Sequence, residues 1–185
     1  SSQQLPRSTE QPRSPVTNSI TQLESHPQTC IVATAALCNA VEPELKKCQI
    51  ISVDCEGVNL SSTGELCIVT MAVPGDPTRI FIFDLITAAT NGPHHFDSVK
   101  TVLKSILENP FCLKIFHDFR MDAAALFHQL GIRVTNVDDT QIMYGMLAML
   151  SCVSDANTPP DTLRRIGLNK QLEEFGISGN SLKST

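Results

Sequence analysis

Asp54 and Glu56 stand two residues apart after the apolar run Gln49–Val53, QIISV. On an extended chain, residues i and i+2 point to the same face. Two carboxylates so placed repel each other unless a cation lies between them, and hard oxygen donors suit Mg²⁺ or Mn²⁺. A second acidic group, His117, Asp118 and Asp122, follows the apolar run Cys112–Phe116. A third, Asp138 and Asp139, precedes the run beginning at Ile142. Three acidic groups, each just after a strand candidate, can converge at one end of a sheet, where open α/β sheets bind ligands. An Asp-x-Glu pair alone is more often a solvated strand end. Asp139 reads first as a helix N-cap, His117 as a polar strand-end residue, and the Met143, Met146 and Met149 row as a core face.

The elements that must position these residues follow from the pattern. Residues 1–28 are polar and Pro-dotted and predict a disordered leader, so the folded domain is expected over 29–185. The Ala-rich stretch Thr29–Val41 predicts a helix interrupted by Pro43. Gln49–Val53, Leu66–Val73 and Arg79–Phe83 predict three strands, joined closely enough to form an antiparallel meander. Phe96 to Leu107 repeats at helical spacing. Cys112–Phe116 predicts a strand and Met121–Leu130 a helix, with Ala123, Leu126, Phe127 and Leu130 on one face and Gly131 as its stop. Val134–Val137 is a short strand candidate. A helix capped by Asp139 or Thr140 should turn Ile142, Met146, Leu147 and Leu150 inward. Residues 151–160 predict a loop, and Thr162–Phe175 a weak helix ending at Gly176. The expected fold is α/β: a mixed five-stranded sheet, an antiparallel meander followed by parallel strands, with helices on both faces.

Composition narrows the functions. The 185 residues carry a net charge of −5 at pH 7, which excludes a broadly cationic nucleic-acid binder. No apolar run approaches the ~20 residues of a membrane helix. The seven cysteines have no CxxC spacing, so zinc is not expected, and their apolar settings suit a reducing, intracellular compartment, cytoplasmic or nuclear. No GxGxxG or GKS/GKT phosphate loop occurs. Glu56 is the wrong length for the Asp-x-Asp of a haloacid-type phosphatase. His94 and His95 lie in a Gly-Pro loop and are assigned to solvent, and Tyr144 to packing.

Taken in order, VDCEGVNLSSTGELCIV, KIFHDFRMDAAALFHQLGI and VDDTQIMYGMLA resemble the first motif, the second motif and the following Asp-Thr-Gln segment of the DEDD 3′–5′ exonucleases, ribonuclease D-like members in particular. The wording Val-Asp-Cys-Glu-Gly and the stretch IGLNKQLEEFGI are similar to the Egalitarian-like and related 3′–5′ exonuclease-domain proteins. The resemblance covers residues 30–185 and implies a ribonuclease H-like fold. It implies Asp54, Glu56 and Asp122 as catalytic metal ligands for Mg²⁺ or Mn²⁺ in a two-metal site, with Asp118 as the competitor for the third place. Leu60 and His117 are the candidate substrate contacts, and the partner is single-stranded nucleic acid, RNA or DNA. The family's third motif, Tyr-x-x-x-Asp or His-x-x-x-Asp, does not occur after Asp122 in this sequence. Two expectations follow: an exonuclease domain cut short at its C-terminus, or a module on the same fold that has lost its fourth carboxylate and acts as an RNA-binding or adaptor protein with protein partners.

Overall fold

The computed structural model describes residues 27–152 and 165–179; most of the leader expected over 1–28 and of the loop expected over 151–160 falls outside the described residues. Six strands form one mixed sheet in the order β1-β4-β3-β2-β5-β6. The expected meander is its centre: β2 (Ile50–Val58), β3 (Glu65–Val73) and β4 (Arg79–Asp84), with β3 antiparallel to both neighbours. β5 (Leu113–Phe116) and β6 (Val137–Asp139) add in parallel beyond β2. The sixth strand is β1 (Gln28–Val32), parallel to β4 at the other edge.

β1 corrects the expected helix over Thr29–Val41 and includes Gln28, which was assigned to the leader. Cys30, Ile31 and Val32 favour an extended chain, and α1 begins only after Thr34, whose side chain accepts the Leu37 N–H. Helix α1 (Ala35–Leu45) keeps Pro43 inside its last turns. Helix α2 (Leu85–Asn91) was not expected; Asp84 caps it, accepting from Thr87 N at 2.8 Å. His95 is not a solvent residue, because its Nδ1 accepts from Ala35 N at 3.1 Å and so serves the start of α1.

Period-two alternation gives the meander two unlike faces. Ile51, Val53, Val69, Met71, Phe81 and Phe83 are buried. They pack with Val99, Val102, Leu103, Ile106 and Leu107 of α3 (Pro93–Leu107) and with α1. Ser52, Asp54, Thr70 and Ala72 point the other way, to a face only partly covered. Helix α4 (Arg120–Leu130) buries Asp122, Ala125, Leu126 and Leu130, but Phe127, expected inward, is 45% exposed. Helix α5 (Thr140–Cys152) corrects a larger expectation: Ile142, Met146, Leu147 and Leu150, and with them Met143 and Met149, are exposed. Helix α6 (Leu168–Glu174) lies beside α5, with the Tyr144 hydroxyl donating to Glu174.

Candidate active site

β2 runs past Val53, so Asp54 and Glu56 lie within the strand rather than after it. The ladder with β3 shifts register between Glu56 and Gly57. A Cβ on Gly57 would sit 2.0 Å from the Glu65 carbonyl oxygen, so only glycine permits this approach of the two strands. The bulge interrupts the ladder just after Glu56, and pairing resumes at Gly57–Leu66 and Val58–Glu65. Leu60 in the loop after β2 is partly buried against the core, with its Cδ1 beside Gly57.

Asp122 enters from the first turn of α4 and is only 7% exposed. Burial pushes its carboxyl up to about 7, and the negative charges of Asp54, Glu56, Asp118 and Asp139 add to the rise. Burial, and after it the charges of Asp122, Asp54 and Glu56, raise the Cys55 thiol. The structure therefore brings Asp54, Glu56 and Asp122 within one another's electrostatic reach. Among the described residues, no three His, Cys, Asp or Glu side chains are gathered tightly enough to enclose an ion as they stand. Their chemistry nevertheless suits a hard divalent cation, because they are carboxylates without softer donors and ionisation of Asp122 is opposed by like charge.

Asp118, the competitor, is committed elsewhere. Arg120 grips it with Nε at 2.8 Å and Nη2 at 3.0 Å, and Arg165 lies 3.9 Å away. Its backbone is left-handed, φ 57°. Asp139 holds that turn in place: its carboxylate accepts from Asp118 N at 3.0 Å, Phe119 N at 2.9 Å and Gln141 N at 2.9 Å. It is thus the N-cap of α5 and also the clasp of the β5–α4 loop. The cap is legible from the sequence; the clasp is a tertiary contact with no local signal.

His117 has both ring nitrogens engaged. Nε2 is 3.2 Å from the Ile166 carbonyl, which can only accept, so Nε2 carries the proton and Nδ1 accepts from the Thr140 hydroxyl at 2.8 Å. Gln141 accepts from Ile166 N at 3.1 Å. Those two side chains bracket Ile166 and set Leu168 against a crevice of about 320 Å³ that Ser52, Asp54, Thr70, Ala72 and His117 also line.

The 3′–5′ exonuclease family profile matches residues 29–157. The chain belongs to the 3′–5′ exonuclease family. The human piRNA biogenesis protein EXD1 is 30% identical over 138 residues, 71% of this chain and 25% of that protein. The chain thus spans about a quarter of that relative's length. Among solved structures, Trypanosoma brucei RNase D in complex with RNA U12 has a TM-score of 0.66 at 22% identity, covering 85% of this chain and 50% of that one. Brucella melitensis NrnC with bound Mg²⁺ has a TM-score of 0.53 at 20% identity, covering 84% and 64%. These likenesses establish the ribonuclease D-like fold, with its mixed sheet, and Leu60, His117 and the three acids all fall inside the matched residues.

Proposed function

We propose that the acidic end of β2 is a metal-dependent 3′–5′ exonuclease site for single-stranded nucleic acid, with Asp54, Glu56 and Asp122 as the cation's ligands. The observation that carries this is the burial of Asp122 among acids, with its carboxyl raised to about 7. A cation bound there supplies Lewis-acid activation of water and charge relief at the leaving 3′-oxygen. The chain's own residues do the rest. Asp54 and Glu56 fix the ligand oxygens on a rigid strand. Asp139 holds the turn from which α4 presents Asp122. The crevice beside Asp54, bounded by Thr70, Ala72 and Leu168, excludes water around the terminal nucleotide, and His117 positions the wall that Leu168 forms. RNA is the first substrate to try, since RNA is what the T. brucei neighbour holds. Six free cysteines among the described residues suit a reducing, intracellular setting.

A second reading has its own support. The sequence offers no Tyr or His four residues before an Asp after Asp122, so a fourth carboxylate and a water-orienting group are not supplied by that motif. On this reading the domain binds RNA as an adaptor. One experiment separates the two: the 185-residue chain, and a version extended along its natural reading frame, are incubated with a 5′-labelled oligonucleotide with and without Mg²⁺ or Mn²⁺. Metal-dependent laddering from the 3′ end that Asp54→Asn abolishes supports the nuclease. Binding without laddering in both versions supports the adaptor.

A further inference from the structure

Helix α4 carries two functional flanks. Asp122 faces the acid site. On another flank a groove of about 310 Å³ runs between α4 and the Ile132–Val134 segment, with Phe119, Ala123 and Phe127 on one side and Arg133 on the other. Phe127 is 45% exposed, although a ring of its size is ordinarily buried. The Arg133 guanidinium lies over that ring, 5.4 Å from its centroid, and the His128 ring stands edge-on at 5.1 Å.

Arg133 is anchored at its root and available at its head. Its backbone N–H donates to Glu108 Oε1 at 2.9 Å, while no carboxylate pairs with its guanidinium among the described residues. Lys104 brings a second cation to this edge, with Nζ 3.4 Å from the Gly131 carbonyl and 3.9 Å from Glu108. A chain of net charge −5 thus sets one cation over an exposed ring, with the Lys104–Glu108 pair at the same edge. The guanidinium takes one face of the ring, and the exposed remainder of the ring beside that cation matches a ligand that is both planar and anionic.

We infer that this groove is a second contact for a single polynucleotide strand, taking an unpaired base against Phe127 and its phosphate against Arg133. The strand's 3′ end lies at Asp54, Glu56 and Asp122, so the inference rests on the nucleic-acid reading of that site. One helix separates the two places, ~10 Å with its side chains. A strand of a few nucleotides spans that distance, and an unpaired base is required because a duplex hides its π faces. Nothing in stacking or phosphate contact reads the 2′-hydroxyl, so RNA and DNA should use the groove alike.

The test is fluorescence anisotropy with the 185-residue chain in Ca²⁺ buffer, using 5′-labelled uridylate and thymidylate oligomers of ~3 and ~12 nucleotides. Phe127→Leu keeps apolar bulk and removes the π face; it should weaken 12-mer binding roughly 5- to 30-fold, while Phe127→Tyr retains it. Arg133→Ala should weaken it by about as much and lower the slope of log K against log salt by about one. The trimer, held at the acid site, should change less than about two-fold. The RNA and DNA arms should lose the same factor. Tight 12-mer binding that both Phe127→Leu and Arg133→Ala leave unchanged would overturn the groove and leave the acid site standing. Failure of the unaltered chain to bind either oligomer would overturn both readings. Tighter binding of an acidic, aromatic peptide than of the 12-mer, lost in the same variants, would assign the groove to a protein partner instead.

Discussion

Asp118 and Asp122 lie four residues apart, one in the turn before α4 and one in its first turn, and the protein treats them in opposite ways. Asp118 is neutralised by a two-toothed contact from Arg120, with Arg165 beyond. Its neighbour Asp139 is satisfied by three backbone N–H groups. Asp122 is buried, pairs with nothing of opposite charge among the described residues, and faces more negative charge. The acids that build the β5–α4 turn are therefore compensated within the chain. The acid that α4 delivers to β2 is not, and negative potential is concentrated at that one point. A carboxylate so placed costs stability unless something positive arrives, which is the property a cation site needs.

The comparison is broken most decisively by activity. In whichever length of chain shows metal-dependent trimming, Asp54→Asn or Asp122→Asn should slow it by ~10²–10⁴-fold, a few kcal/mol of transition-state stabilisation. Melting curves should show both variants folded. Persistent trimming by the pure variants would move the chemistry elsewhere.

Stability reads the other half. Asp139→Ala leaves three backbone donors without their acceptor and should cost about 2–4 kcal/mol in urea unfolding. Asp139→Asn, which keeps an accepting oxygen, should recover part of that. A loss below ~0.5 kcal/mol would mean that the turn holds itself without the clasp.

Asp122 gives the pH dependence. Its folded carboxyl, raised to about 7, lies above the usual value of 3.8, so the folded state binds the extra proton between them. For the metal-free protein this contribution is fully present below about pH 4 and is lost as pH rises through 7. Against pH 8, unfolding at pH 5.5 should therefore gain about 1–3 kcal/mol from this group, and Asp122→Asn should flatten the profile. Mg²⁺ competes with the same proton, so it should raise the melting temperature more at pH 8 than at pH 6. An unchanged profile in Asp122→Asn would show that the acids do not oppose its ionisation.

What was legible in the sequence depends on how many solutions a local pattern allows. The apolar run Gln49–Val53 marks a strand, but the acids after it hide its continuation: β2 runs on to Val58, with Cys55 buried and Asp54 and Glu56 on the less covered face. The α3 residues Val99 to Leu107 allow one apolar stripe. Between Thr140 and Cys152 there is no charged residue, so every face of α5 looks apolar and periodicity cannot choose one. In the structure no α5 residue over 140–150 is buried, so the expected inward set is exposed. Phe127 was misplaced in the same way, because helical spacing puts it beside Leu126 and Leu130 whether or not the core reaches it. In β1, Cys30-Ile31-Val32 is too short an apolar run to stand out from the alanines that follow, and β4 decides it by pairing. Among the acids, only the family resemblance favoured Asp122 over Asp118, because the arginines and N–H groups that occupy Asp118 and Asp139 come together only in the folded chain.

Asp118 provides the smallest and sharpest test. Its ion pair with Arg120 is partly exposed, the side chains being 30% and 57% accessible, so water screens most of its value. Asn tolerates the left-handed backbone that residue 118 adopts, so Asp118→Asn removes the charge without adding strain. The expected loss is under ~1 kcal/mol. The substitution also withdraws one of the negative charges that raise Asp122, so the midpoint of the pH–stability profile should move down from its starting position. Trimming activity should stay within about ten-fold, far from the loss in Asp122→Asn. If Asp118→Asn instead abolishes trimming and leaves the pH midpoint where it was, the two aspartates have each other's roles, and Asp118 must leave its arginines to reach the cation.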